Sequence, residues 1–226
     1  MSKNIIITGT SSGIGLELAK FFIKSKHNVL AISRNNSDLR SLNLKGLYAV
    51  DFDITDYERY NSLNKYLNNF ENVDVLINNA GLLVNKPFED TSLEDFQKVY
   101  STNVFSVAML TKFLIKRMNN RSNVVNISSI GGVEGTLKFP GLAAYSSSKG
   151  ALNILTEMLA EEYKEQGIHF NSLALGSVQT KMLNKAFPGF KASTSAQDMA
   201  KYIYDFSMEG YKLINGKVIS ISSTTP

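Results

Sequence analysis

The chain has 226 residues, 43% hydrophobic and 19% charged, with a formal net charge of +4, which suits one sizeable globular domain and excludes a disordered chain. It has no cysteine and only His27 and His169; disulfides, iron–sulfur clusters, thiolate zinc sites and a cysteine nucleophile are excluded, and a histidine-rich metal site or Ser-His-Asp triad is disfavoured. Lysines and arginines are scattered without a basic block, so no nucleic-acid partner is expected and a small anionic ligand suits the charge equally well.

The N-terminal stretch MSKNIIITGT holds only three consecutive isoleucines, far short of the roughly 7–15 apolar residues of a signal peptide core. No segment approaches the ~20 apolar residues of a membrane span, so no membrane partner and a cytoplasmic location are expected. Residues 4–8, NIIIT, form the first short β-branched run, and a glycine-rich turn then opens a helical pattern through Leu16, Leu18, Ala19, Phe22 and Ile23. Further apolar runs follow at 29–33, 46–50, 73–78, 123–128, 168–175 and 217–222, separated by helical patterns near 55–69, 92–118, 145–166 and 196–208. Near-continuous apolar strands alternating with helices predict a parallel sheet covered on both faces, a doubly wound α/β fold. Residues 181–196, with Pro188, Gly189 and an STS cluster, are expected to be a short loop at the strand C-termini that covers substrate.

Function is read from the same order. TGTSSGIG (8–15) lies between the first strand and the first helix. Glycine lets backbone approach a ligand closely, and a helix N-terminus offers unpaired N–H groups to a phosphate. Gly9, Ser11, Ser12, Gly13, Ile14 and Gly15 are therefore candidate dinucleotide contacts, although the spacing is G-x-x-x-G-x-G rather than the common G-x-G-x-x-G,. The second strand ends in Ser33 and Arg34, where an NAD site places an acid on the ribose 2′-hydroxyl. A guanidinium suits a 2′-phosphate, which favours NADP(H), with NAD(H) as the alternative. No lysine follows the turn in a G-K-[ST] arrangement, which excludes a P-loop.

Three further segments, INNAG (77–81), NISS (126–129) and YSSSK (145–149), complete a pattern that resembles the short-chain dehydrogenase/reductase family. The likeness runs over nearly the whole chain and is nearest to NADP-type carbonyl and 3-oxoacyl-carrier-protein reductases. It implies one Rossmann-type, three-layer unit over 1–226, with a seven-stranded parallel sheet in the order 3-2-1-4-5-6-7. It implies Tyr145 as general acid/base, Lys149 lowering the tyrosine pKa and binding the nicotinamide ribose, Ser129 holding the substrate carbonyl, and Asn103 anchoring a water of the proton relay. Asp53 and Ile54 would meet the adenine, Asn79, Ala80 and Gly81 the adenosine side, and Val178 and Thr180 the nicotinamide carboxamide.

The implied reaction is NADPH-linked interconversion of a small-molecule carbonyl and a secondary alcohol, by a homo-oligomer, dimer or tetramer. Its rival is a non-catalytic dinucleotide-binding or redox-sensing protein on the same fold. Tyr145 and Lys149 at i, i+4 share a helix face, and a nearby cation favours the phenolate of a group whose ordinary pKa is near 10. Leu175 stands where the family has proline before Gly176, and the stretch from Ser129 to Tyr145 is longer than usual around 136–139, which places those residues at the mouth of the site. The C-terminus lacks the family's glycine pair after the last strand, which puts tetramer assembly in question.

Overall fold

The computed structural model describes residues 2–222. In chain order the elements are β1 (Asn4–Thr8), α1 (Gly13–Lys24), β2 (Asn28–Ser33), α2 (Ser37–Arg40), β3 (Leu47–Asp51), a 3₁₀ run (Tyr57–Leu63) that passes into α3 (Asn64–Leu67), and β4 (Val75–Asn78). Then come α4 (Leu93–Tyr100), a π-helical turn (Ser101–Phe105), α5 (Ser106–Leu114), β5 (Asn123–Ser129), α6 (Ala143–Glu162) and β6 (His169–Leu175). The chain closes with β7 (Val178–Gln179), α7 (Lys181–Ala186), β8 (Thr194–Ser195), α8 (Ala196–Met208) and β9 (Lys217–Ile221).

Seven strands form one parallel sheet in the order β3-β2-β1-β4-β5-β6-β9, the expected order with β9 as seventh strand. The run Ile5-Ile6-Ile7 is fully buried because the sheet is covered on both faces, which is why it does not alternate with polar residues. Ile5 and Ile7 pack with Leu18 and Phe22 of α1 and with Ile203 and Phe206 of α8. Ile6 faces the other layer, with Leu30, Leu76, Leu110, Leu114 and Ala160. Each such fully buried side chain contributes about 1.5–3 kcal/mol. The chain winds outward from β1 to β3 and returns to β4 beside β1. That reversal opens a crevice at the strand C-termini.

Two local expectations are corrected. The segment 55–69 is mostly 3₁₀ rather than α-helical; Asn61, Asn64, Asn68 and Asn69 crowd it, and asparagine competes for backbone hydrogen bonds. The segment 181–196 is not one irregular loop. It contains α7, capped by Thr180 on Leu183 N, and β8, which pairs with β7 through Val178↔Thr194 and Gln179↔Ser195. Ser195 then caps α8 on Asp198 N. Hydroxyl residues just before helical turns are the signal that marks both starts.

Candidate active site

The crevice holds a cavity of about 930 Å³. At its floor the chain leaves β1 through Gly9, φ +74°, and enters α1 at Gly13, φ +58°. Both lie in the left-handed region that favours glycine. A Cβ at Gly9 would stand 2.7 Å from the Ala80 Cα, and one at Gly15 would stand 2.2 Å from the Gly9 carbonyl oxygen. Bare backbone therefore lets the turn, α1 and the end of β4 come together. Ser12, the N-cap of α1, makes no side-chain cap bond. The N–H groups of the first helical turn are left for an anion. A glycine cradle facing an open helix N-terminus fits the phosphates of a dinucleotide.

Cross-strand bonds hold this floor. Thr8 Oγ1 accepts from Asn79 N and Ala80 N at 3.1 and 3.0 Å, and Asn79 Nδ2 donates to Thr8 O and Gly9 O. Thr10 Oγ1 donates to Asn36 Oδ1 at 2.7 Å, while Asn36 Nδ2 donates to Ala31 O and Val50 O. Thr8, Thr10 and Asn36 thus tie the ends of the first four strands, and none of the three stood out in the sequence.

At the lip beyond β2, Ser33 is buried and Arg34 is exposed, and both line the cavity. The neighbouring acid, Asp51 of β3, is engaged: Arg40 reaches both carboxylate oxygens at 2.6 and 2.7 Å, and Asn36 N donates to it at 2.7 Å. Arg40 and then the Asn36 N–H hold the Asp51 carboxyl below the usual carboxylate range. Asp53 and Ile54 line the same end. Asp53 Oδ1 accepts from Thr55 N and Oγ1.

At the opposite end, β5 stops at Ser129, whose Oγ accepts from Gly131 N at 3.2 Å. A Cβ at Gly132 would lie 2.6 Å from the Lys149 carbonyl carbon, so a bare backbone lets α6 settle on this turn. Tyr145 and Lys149 then project from one face of α6, with Lys149 Nζ 5.8 Å from the Tyr145 ring centroid. Lys149 Nζ donates to Ile127 O at 2.8 Å. Burial lowers the Lys149 ammonium to about 8. Burial also pushes the Tyr145 phenol up to about 12, opposed by a hydrogen bond with Ser129. Burial therefore outweighs the Ser129 hydrogen bond, and the phenol holds its proton. Ser128 is buried beneath α6, its hydroxyl donating to Lys149 O at 3.3 Å.

Asn103 lies in the π-helical turn, fully buried. Its Oδ1 accepts from Leu82 N at 2.8 Å, and its Nδ2 donates to Leu82 O and Ser148 Oγ, both at 2.9 Å. Ser148 Oγ in turn donates to Tyr145 O at 2.6 Å. Both amide hydrogens of Asn103 are thus committed to holding the loop after β4 and helix α6.

The cavity wall gathers Gly9, Ser11, Ser12, Gly13, Ile14, Ser33, Arg34, Asp53, Ile54, Asn79, Ala80, Gly81, Ser129, Tyr145, Lys149, Val178 and Thr180. Gly15 and Asn103 stand behind it. Phe139, from the lengthened stretch, does reach the wall, beside Phe187.

A sequence model of the short chain dehydrogenase family matches residues 3–189. Carbonyl reductase [NADPH] 2 of Sus scrofa is 34% identical over 179 residues, covering 78% of this chain and 72% of that protein. The structure of ElxO with NADP bound is 32% identical with a TM-score of 0.85, covering 98% of this chain and 97% of that one. 4-Hydroxyisoleucine dehydrogenase complexed with NADH is 27% identical with a TM-score of 0.86, at 98% and 97% coverage. Among the described residues no helix is long and apolar enough to cross a membrane.

Proposed function

Given that the chain belongs to the short-chain dehydrogenase family and is thus an NAD(P)-dependent oxidoreductase, we propose that it interconverts a carbonyl and a secondary alcohol with NADP(H), Tyr145 serving as general acid/base. The observation that carries this reading is the meeting of Ser129, Tyr145 and Lys149 in one wall of the cavity at the end of β5.

The bound nicotinamide dinucleotide supplies or accepts the hydride. The turn at Gly9 and Gly13, with the N-terminus of α1, would hold its phosphates. Asp53, Ile54, Asn79, Ala80 and Gly81 would line its adenosine, and Val178 and Thr180 its carboxamide. Ser129 Oγ and Tyr145 Oη both hydrogen-bond the substrate oxygen, where negative charge develops on reduction. Tyr145 Oη gives that oxygen its proton, or takes it back in the oxidative direction. Lys149 Nζ, oriented by Ile127 O, places positive charge beside the phenol and lessens the cost of the phenolate. Asn103, through Ser148, positions the helical turn that carries Tyr145.

Tyr145→Phe keeps the ring and removes the proton. It should lower kcat by about 10²–10⁴-fold on any carbonyl the wild type reduces, with NADPH affinity, read by fluorescence, little changed. A variant turning over at the wild-type rate would refute the acid/base assignment.

NADP preference rests on Arg34 at the lip, while Asp51 at the end of the neighbouring strand is paired with Arg40. Self-association is part of the same reading. Phe105 of the π-helical turn, Met109 of α5, and Ile154 and Met158 of α6 are exposed, and the π-helical turn packs against both helices, giving apolar residues suited to a second copy of this chain.

A further inference from the structure

Three segments close the cavity around Ser129 and Tyr145: the loop after β4, the stretch between β5 and α6, and α7 with its tail. They are tied to one another. Lys86 N donates to Gly141 O at 3.0 Å, and Asn85 Nδ2 donates to Ala186 O at 2.7 Å. Gly141 has φ +86°, and a Cβ there would stand 2.1 Å from Asn85 Oδ1, so the stretch is seated directly on Asn85. Phe139 meets Phe187 edge-on, ring centroids 6.4 Å apart and planes at 69°. Beyond Asn79, whose amide is bonded to Thr8 O and Gly9 O at the floor, what these segments turn to the cavity is largely apolar, including Leu83, Phe139, Leu142, Met182 and Phe187; Lys181 is their one charged lining residue among those described, and none of their lining residues is a carboxylate.

We propose that this wall is a specificity site for an uncharged ketone, or the corresponding alcohol, bearing an aliphatic or aromatic tail that packs against Phe139 and Phe187. The inference rests on the carbonyl–alcohol reading above. Each methylene of such a tail that leaves water favours binding about fourfold. A sugar or polyol would meet Leu83, Phe139, Leu142, Met182 and Phe187 where its hydroxyls need partners, and those out of reach of Ser129, Tyr145, Lys149 and Lys181 would go unpaired,.

The test is kcat/KM at saturating NADPH for 2-butanone, 2-pentanone, 2-hexanone, 2-heptanone and acetophenone, against dihydroxyacetone, fructose and levulinate. The expected result is a rise of about two- to fourfold per methylene, with the hydroxylated and carboxylate-bearing ketones at least about 100-fold below 2-heptanone. Phe139→Ala and Phe187→Ala should each reduce the ratio of 2-heptanone to 2-butanone by about threefold or more, with NADPH binding reporting that each variant is folded. A flat series in the wild type, or preference for dihydroxyacetone, fructose or levulinate, overturns the apolar specificity and leaves the carbonyl–alcohol reading standing. Failure to reduce any of these compounds while NADPH binds overturns both.

Discussion

Tyr145 and Lys149 are pushed in opposite directions by the same burial, the phenol up to about 12 and the ammonium down to about 8. On the proposed acid/base role, reduction starts with the tyrosine protonated, and at about 12 it holds that proton throughout the working range. The group that changes charge first as pH rises is Lys149. The kcat/KM for ketone reduction should therefore be level below pH 8 and fall as pH rises through about 8,. Lys149→Met should be slower and lack that break, and a wild-type profile level to pH 10 would show that the lysine charge does not matter. Arg34→Asp is the corresponding test for the cofactor. Losing a charge-assisted phosphate contact should weaken NADPH binding about 10–100-fold and leave NADH binding nearly unchanged, read by titration of both nucleotides. These residues were legible because each sits in a short local pattern. Thr8, Thr10 and Asn36 were not, because their bonds join residues 71, 72 and 26 positions apart, and a lone threonine or an asparagine pair in sequence reads only as a turn.

At the scale of elements, the seven apolar runs translated into strands almost at their expected limits, most plainly in β1, β2 and β4, which are buried at nearly every position,. The connections translated less well. The π-helical turn at Ser101–Phe105 leaves no mark on hydrophobic periodicity, yet it aims the Asn103 side chain inward. Such turns occur often at functional sites. Here it connects the loop after β4 to α6 through three hydrogen bonds of a fully buried amide. Asn103→Ala would leave Leu82 N–H, Leu82 C=O and Ser148 Oγ short of partners, at a cost of roughly 2–4 kcal/mol. Urea denaturation measures this, and a change within about 0.5 kcal/mol would mean that the loop and helix hold their positions without it.

The whole molecule joins its chemistry to its surface through one helix. The inward face of α6 carries Tyr145 and Lys149, and its outward face carries Ile154 and Met158, each 60% exposed, one turn apart. The π-helical turn and α5 add Phe105 and Met109, 50% and 38% exposed. A two-fold contact presents each residue twice, so one substitution introduces two changes into the interface. Ile154→Glu combined with Met158→Glu places four carboxylates in an apolar contact, where each must be desolvated without a partner. The doubly substituted protein should sediment as a monomer at concentrations where the wild type sediments as a dimer or larger, a shift of about 100-fold or more in the dissociation constant. Both sites point away from the cavity, so NADPH affinity should change much less than association does. If the wild type itself sediments as a monomer at tens of micromolar, these apolar residues do not join copies of this chain.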